Sequence, residues 1–207
     1  MAKRLSDAEY LENVRAGLAQ SIDFYRTGNR GVRERWVCRE FVHNLNTLAR
    51  EASFISPASD PPDVEYRGCR FEVKEILDPG RRRHQEYRDR LAEAMKATRV
   101  RDLLRTYSPK PISPCEVGDL VHKECQALAR KYEPKLIRTL DLIFYVNLLE
   151  ATLEGEEMPE SQHFAALGWR SVSALIGWAG LVFSASPSAP RLLRNAAGSL
   201  SVRKGRT

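Results

Sequence analysis

The sequence predicts a mixed α/β fold, because a helical period near the N-terminus gives way to a strand period after residue 62 and to apolar runs later in the chain. The 207 residues are 43% apolar and 29% charged, which is typical of a globular domain and unlike collagen, coiled-coil or disordered chains. We therefore expect a central mixed sheet flanked by helices. A single domain is predicted over residues 1–195, followed by a basic flexible tail over 196–207.

The N-terminal region 7–50 is predicted to be helical. Apolar residues recur at helical spacing from Leu11 to Ile22, and Ser6 can cap the start of that helix. A second apolar stripe runs from Val37 to Leu48, with Glu40 on its edge. A cluster of prolines then ends the helical region.

Residues 62–77 are predicted to form a β-hairpin. The run DVEYRGCRFEVKEIL alternates with period 2 on either side of Arg67-Gly68, and glycine allows the positive φ that a tight turn requires. A turn centred there pairs residues whose numbers sum to 135, so Asp63 faces Glu72 across the ladder. The alternation also places Lys74 on the same face as Glu72. Two carboxylates and a lysine are therefore expected in one small volume.

The remainder of the chain is predicted to form helices followed by buried strands. Helices are predicted within 81–132 and strands within 139–185. The run LDLIFYVNLL at 140–149 is apolar nearly throughout, which predicts a central strand buried on both faces. Residues 171–185 are uncharged, but this run is shorter than the roughly 20 residues of a membrane-spanning helix. We therefore predict two buried strands there and no membrane association.

The carboxylates and lysine of the hairpin are the candidate catalytic residues. Asp63 and Glu72 offer hard oxygen ligands of the kind that Mg²⁺ or Mn²⁺ prefers. Such an ion lowers the pKa of a bound water, and Lys74 can position or deprotonate that water and offset charge on a phosphate ester. Glu40 can complete the site from the preceding helix. The alternative is a solvated strand face on which Glu72 and Lys74 form a surface ion pair.

Pro62-Asp63 followed after eight residues by Glu72-Val73-Lys74 resembles the motif of the PD-(D/E)XK nuclease superfamily, and the order of elements resembles its restriction-endonuclease-like core. The resemblance covers roughly residues 32–150, and the whole chain is similar to an uncharacterised bacterial family labelled as endonucleases. It implies metal-dependent hydrolysis of DNA phosphodiester bonds by Asp63, Glu72 and Lys74, with Glu40 added by analogy of its helix, and it permits a homodimer. Glu133-Pro134-Lys135 is not a second candidate, because proline cannot donate to a strand ladder.

A basic segment follows the hairpin. Residues 79–110 carry ten basic residues against four acidic ones, an excess of +6 that equals the formal charge of the whole chain. Such clusters bind nucleic-acid phosphates with release of counterions, so DNA is the expected partner. The candidate nucleic-acid-binding residues are Arg81, Arg82, Arg83, His84, Gln85 and Arg88. A solvated helix face with internal ion pairs is the alternative.

Two classes of function fit these residues. One is an endonuclease that cuts DNA with Mg²⁺ or Mn²⁺, and the other is a catalytically inactive nucleic-acid-binding or regulatory module on the same fold. The sequence has no Walker loop, dinucleotide motif, G-x-S-x-G elbow or paired zinc-type cysteines, so those chemistries are not indicated. The four scattered cysteines and the absence of a signal-peptide pattern favour a cytoplasmic location.

Overall fold

The structure, a computed structural model, describes residues 5–204 and divides into two compact units. Unit 1 comprises Met1–Arg33 and Pro79–Ser108, and unit 2 comprises Glu34–Asp78 and Pro109–Thr207. The prediction of one domain over residues 1–195 stays a prediction.

Seven helices and eight strands lie within residues 5–204. The helices are α1 (Asp7–Phe24), α2 (Arg30–Asn44), α3 (Arg83–Lys96), α4 (Pro114–Ala129), α5 (Pro134–Ile137), α6 (Ser161–Ala165) and α7 (Arg191–Ala196). The strands are β1 (Val64–Tyr66), β2 (Cys69–Leu77), β3 (Lys110–Ile112), β4 (Asp141–Asn147), β5 (Ala151–Leu153), β6 (Ser171–Ile176), β7 (Ala179–Ala185) and β8 (Ser199–Val202).

Unit 1 is helical and is built on the contact between α1 and α3. Ser6 caps α1 as predicted, and the cap is a capping box: the Ser6 hydroxyl accepts from the Glu9 backbone N–H, and the Glu9 carboxylate accepts from the Ser6 backbone N–H. Arg15 of α1 donates to the carbonyl oxygens of Ala94 and Ala97, each at 3.0 Å. The guanidinium thus satisfies carbonyls at the C-terminal end of α3, where a positive charge is also favoured by the helix dipole.

Unit 2 is built on a six-stranded mixed sheet in the order β1-β2-β4-β6-β7-β8, which confirms the predicted α/β class with a central mixed sheet. Strands β2, β4 and β6 are parallel, and the other neighbours are antiparallel. The apolar run predicted as a central strand is β4, which lies between β2 and β6. A separate pair, β3 and β5, forms a two-stranded sheet.

The hairpin register is the predicted one. Tyr66 pairs with Cys69 and Val64 pairs with Phe71, so facing residues sum to 135. Arg67 and Gly68 form the turn with φ of 46° and 79°. Two positive φ angles in a two-residue loop match the right-handed twist of the strands.

The sheet of unit 2 separates two apolar clusters. One contains Phe41 of α2 packed at its ring edge on Phe71, and the other contains Val121 of α4 together with Phe144 and Leu142 of β4. Alternation along β2 places the residue after Phe71 on the α4 side. The hairpin therefore presents Glu72 to the face that α4 covers.

Two boundary predictions differ from the structure. The expected helical region 7–50 ends at Asn44, and the expected flexible tail contains β8, which pairs with β7 from Ala179 to Val182. The segment Ser199–Val202 alternates polar and apolar residues, and Leu200 is half-buried against the α4-side cluster, which explains why it adds to the sheet. Residues 205–207 of the predicted tail lie outside the described residues. Among residues 5–204, no helix has the length and apolarity needed to cross a membrane.

One buried carboxylate holds the ends of three strands together. Asp141 is completely buried and accepts from the backbone N–H of Arg70 at 2.9 Å and from the hydroxyl of Ser171 at 2.8 Å. Arg170 forms two hydrogen bonds to the same carboxylate, one of them from Nε at 3.0 Å, and donates to the Gly68 carbonyl in the hairpin turn. The polar cluster thus ties β2, β4 and β6 together.

We expect Asp141→Ala to lower the free energy of unfolding by about 3–5 kcal/mol, because it leaves the guanidinium of Arg170 partly buried without its counter-charge. Urea unfolding followed by circular dichroism measures the change. Asp119→Ala, at an exposed position of α4, is the matched control and should stay within about 0.5 kcal/mol of the parent. A loss at Asp141 as small as that at Asp119 would show that the cluster does not stabilise the sheet.

Candidate metal centre

Three carboxylates converge beside the hairpin of unit 2. Asp60, Asp63 and Glu72 each offer an oxygen atom, and these atoms lie within 4.8 Å of one another. Asp63 precedes β1, where its backbone N–H donates to the Phe71 carbonyl at 3.0 Å, and Glu72 follows on β2. Two of the three are buried, with exposed fractions of 7% for Asp63 and 1% for Glu72. The structure therefore brings the two predicted hairpin carboxylates together.

The side chain of Asp63 is held by the neighbouring strand. Its Oδ2 accepts from the backbone N–H of Val73 at 2.8 Å. A carboxylate that accepts from the main chain is fixed in direction and is partly compensated in charge. Asp63 is thus pre-oriented toward the cluster before any ligand binds.

Glu72 has one satisfied oxygen and one that is not. Oε1 accepts from Lys74 Nζ at 2.5 Å and from the Tyr132 hydroxyl at 2.6 Å. Oε2 is buried and has no hydrogen-bond partner within residues 5–204. A buried acceptor left without a partner costs about 1–3 kcal/mol, and more when it is charged. A divalent cation is the kind of ligand that would remove this cost.

The residues present fit such a cation. Carboxylate oxygens are the hard ligands that Mg²⁺ and Mn²⁺ prefer, and Mg²⁺ commonly takes one or two protein carboxylates. Three carboxylates meet here, and the ammonium of Lys74 pairs with one of them, Glu72. Lys74 is about one quarter exposed, which leaves its ammonium within reach of a ligand from solvent.

The charge of the cluster affects the pKa of the Tyr132 phenol. Burial raises the pKa of its phenol above the ordinary value, and the hydrogen bond to Glu72 and the charges of Glu72, Asp63 and Asp60 raise it further. These groups act in one direction because each disfavours the phenolate. The phenol therefore stays protonated and remains a donor to Glu72 at neutral pH.

Helix α2 lies near the cluster, but the predicted Glu40 has other partners. The structure does not bring Glu40 into the carboxylate cluster; its carboxylate accepts from Arg39 at 3.1 Å and from Arg203 at 2.9 Å. Burial raises the pKa of the Cys38 thiol, and the charges of Asp63 and Glu34 raise it further. Glu34 and Cys38 are four residues apart and share a helix face, whereas Glu40 lies about 200° round the helix from Cys38.

The predicted nucleic-acid-binding residues lie in unit 1, around the start of α3, whereas the carboxylate cluster lies in unit 2. Two of them have partners in their own unit. Arg81 pairs with Glu86 at 2.9 Å, and the guanidinium of Arg83 lies 3.8 Å from the ring centroid of Tyr25. These contacts engage the two guanidinium groups, which leaves fewer of their N–H donors available to bind a phosphate.

The other members of that set differ in exposure. Arg82 and Arg88 are exposed, whereas His84 is half-buried. Gln85 donates to the Asp89 carboxylate at 2.7 Å, one helical turn further along. Gln85 is exposed as well, so Arg82 and Arg88 are the exposed arginines of the set.

Two residues of the cluster were not identified from the sequence. Asp60 stands three residues before Asp63 in the run Asp-Pro-Pro-Asp, and that second acidic residue is a local signal that could have been used. Tyr132 lies sixty residues after Glu72, in the charged run Arg130-Lys131-Tyr132-Glu133, which gives no sign of a contact with the hairpin. Its contact depends on how α4 packs on the sheet, which has no local signature.

Comparison with known proteins identifies the family of the chain. Residues 6–206 match the family described as "Putative endonuclease, protein of unknown function (DUF1780)". The chain belongs to this family. A solved structure from Pseudomonas aeruginosa strain PAO1 is 27% identical, with 96% of each chain covered and a TM-score of 0.64. That protein is described as one of unknown function in the monooxygenase superfamily. A search of curated proteins found no significant match.

We expect the Tyr132 phenol to remain protonated at pH values where exposed tyrosines ionise. Because its pKa is raised above about 10, the hydrogen bond to Glu72 is complete below that pH and is lost only as the pH rises through the raised value. Asp63→Asn should lower this pKa, since it removes one of the charges that raise it. Carbon-13 NMR of labelled tyrosine measures the pKa of Tyr132 in the parent and in Asp63→Asn. Tyr132→Phe assigns the signal, and Glu75→Gln is the control. Ionisation near pH 10 would contradict the contact.

Proposed function

We propose that this chain is a divalent-metal-dependent endonuclease that hydrolyses DNA phosphodiester bonds, with a site of the PD-(D/E)XK type on a restriction-endonuclease-like core. The observation that carries the proposal is the buried Glu72 carboxylate, whose Oε2 has no partner among the described residues while Asp60 and Asp63 lie beside it. The description of the family as an endonuclease supports it.

The carboxylates would hold the ion, and the chain's own contacts would orient them. Asp63 is aimed by the Val73 N–H, and Glu72 is aimed by donors on Oε1 that leave Oε2 for the ion. Asp60, the exposed member, would complete the set from the solvent side. When bound, Mg²⁺ or Mn²⁺ polarises a phosphoryl oxygen and makes water a stronger acid.

Lys74 would bind the reacting groups. Its ammonium carries three N–H donors, and one is engaged by Glu72, so the others can bind a phosphoryl oxygen or the attacking water. During hydrolysis the oxygen of that water would form a bond to phosphorus and lose a proton to solvent, while the bond from phosphorus to the sugar oxygen breaks and that oxygen takes up a proton from solvent to leave as a hydroxyl. The positive charge of Lys74 offsets the negative charge that develops on the phosphoryl oxygens.

Tyr132 would act as a positioning residue. Its hydroxyl holds Glu72 Oε1 at 2.6 Å, and its ring packs at its edge on Trp169, which is buried. The phenol therefore limits the rotation of the Glu72 carboxylate without contacting substrate.

The exposed arginines Arg82 and Arg88 would add a salt-sensitive attraction to DNA phosphates. Cutting of both strands by a homodimer stays a prediction.

Purified protein should nick supercoiled plasmid DNA in Mg²⁺ or Mn²⁺ and not in EDTA. Asp63→Asn keeps an oxygen to accept from Val73 but removes the charge, and Lys74→Met keeps the stem but removes the ammonium. We expect each to lower the rate by about 100-fold or more, because general acid–base and electrostatic groups contribute at this level. Agarose gels of the nicked and linear forms measure the rate.

Matched controls for these two variants come from the same unit. Glu75→Gln removes an exposed carboxylate three residues beyond Glu72, and Lys135→Met removes the lysine of the second Glu-x-Lys tripeptide. Both controls should cut within about twofold of the parent, as surface substitutions away from a site do. Full cutting by Asp63→Asn or Lys74→Met would overturn the proposal. Salt-sensitive DNA retention without cutting by the parent would favour the binding module instead.

Metal binding can be measured without turnover. An ion that binds only the folded chain stabilises it by about 2.7 kcal/mol at a concentration 100 times its dissociation constant. We therefore expect Mn²⁺ to raise the melting temperature of the parent and of Glu75→Gln but not that of Asp63→Asn, as followed by circular dichroism without DNA. Equal rises in all three proteins would place the ion elsewhere.

A further inference from the structure

A second site of unit 2 lies away from the carboxylate cluster. A cavity of about 670 Å³ lies between the loop that follows α2, the hairpin turn and the residues that follow β8. Among residues 5–204, its lining includes four cationic side chains and no carboxylate; the four are Arg50, Arg67, Arg203 and Lys204. We refer to it as the basic cavity.

Most of the positive charge around the basic cavity is uncompensated. Arg50 and Lys204 are exposed, and neither forms an ion pair with a carboxylate of residues 5–204. Arg203 is the exception, because its Nη1 donates to Glu40 at 2.9 Å. Like charges gathered at one cavity repel each other, so an anion that contacts several of them is favoured.

Local contacts fix the segments that carry two of these cations. Arg67 occupies the hairpin turn with a φ of 46°, and its guanidinium lies 5.4 Å from the ring centroid of Tyr66. The backbone N–H of Lys204 donates to the side-chain oxygen of Asn46 at 3.1 Å. The cavity is thus formed by anchored segments of the chain rather than by side chains alone.

An exposed aromatic ring outside the cavity lining contacts Arg203, one of the lining residues. Trp178, in the turn between β6 and β7, is 69% exposed. The guanidinium of Arg203 lies 5.6 Å from its ring centroid, and the Arg203 backbone N–H donates to the Trp178 carbonyl at 2.9 Å. A large apolar ring held open to solvent next to cations is the combination that binds a base and its phosphate together.

We propose that the basic cavity binds a terminal phosphate, with the attached nucleobase stacked on Trp178. A phosphomonoester carries a charge of about −1.5 to −2 near pH 7 and presents three acceptor oxygens, which suits several cations around one cavity better than a phosphodiester does. The ligand is either the end of a nucleic-acid strand or a mononucleotide. The inference does not depend on the proposed nuclease activity, because none of these residues belongs to the carboxylate cluster.

Fluorescence anisotropy in EDTA tests the site without cleavage. Two single-stranded oligonucleotides of one sequence, labelled at the 3′ end, carry either a 5′-phosphate or a 5′-hydroxyl. We expect the 5′-phosphate strand to bind about tenfold more tightly, the effect of one strong charge-assisted contact. The double variant Arg50→Ala/Lys204→Ala should remove this preference, and Trp178→Ala should weaken binding of both strands.

The control is a double variant of equal charge change. Lys123→Ala/Lys135→Ala removes two exposed lysines from α4 and α5, on the other side of the sheet from α2, and should keep the preference. Circular dichroism melting confirms that each variant is folded. Equal binding of the two strands by the parent, or a preference that survives Arg50→Ala/Lys204→Ala, would overturn the inference.

Competition with adenosine monophosphate separates the two sources of the phosphate. A mononucleotide site is supported if adenosine monophosphate displaces the labelled strand at about the concentration at which an unlabelled 5′-phosphate strand displaces it. Displacement only by the unlabelled strand supports a strand-end site. A failure of the unlabelled 5′-phosphate strand itself to compete would overturn the inference, because the signal would then not come from a saturable site.

Discussion

The buried carboxylate of Asp141 is the interaction on which the arrangement of unit 2 depends. It lies at the start of β4 and accepts from the Arg70 backbone N–H of β2, while Arg170, just before β6, supplies the opposite charge. Arg170 also donates to the Gly68 carbonyl in the hairpin turn. Because side chains alternate along a strand, a slip of one residue between β2 and β4 would turn Glu72 to the opposite face. The geometry of the candidate metal centre therefore depends on a polar contact that lies outside it.

Glu72 places a charge where stability alone would favour an apolar residue. Its strand neighbour Leu142 belongs to the core, and replacing a buried ionic group by an apolar one is often neutral or stabilising. Lys74 and Tyr132 reduce the cost but do not remove it, because both donate to the same oxygen. A local conflict of this kind between stability and residue type is expected at functional sites. The conflict itself is thus the strongest structural sign that this face of the hairpin binds a ligand.

The parts of the fold that local chemistry decides could be predicted from the sequence. The period-2 alternation around Gly68 was sufficient for the hairpin register and for the meeting of Asp63 with Glu72, since a two-residue turn fixes every pair beyond it. The partners of Glu40 in α2 could not be predicted in the same way. An amphipathic pattern gives a helix face only to within a residue or two, and Glu40 lies on the wrong side for the cluster. Tyr132 could not be found at all, because its position depends on long-range packing of α4.

The hairpin connects the two sites proposed for unit 2. Arg67 in its turn lines the basic cavity, and Glu72 in its second strand belongs to the carboxylate cluster. Glu72 lies five positions after Arg67, and because the first of these steps is in the turn, the separation is less than the roughly 16 Å that five positions span at the usual rise of a strand. A strand end held at the cavity would therefore present to the metal centre a phosphodiester some way into the strand, and not the terminal one. Since each site includes a residue of this hairpin, that spacing is set by the fold and does not require a flexible linker.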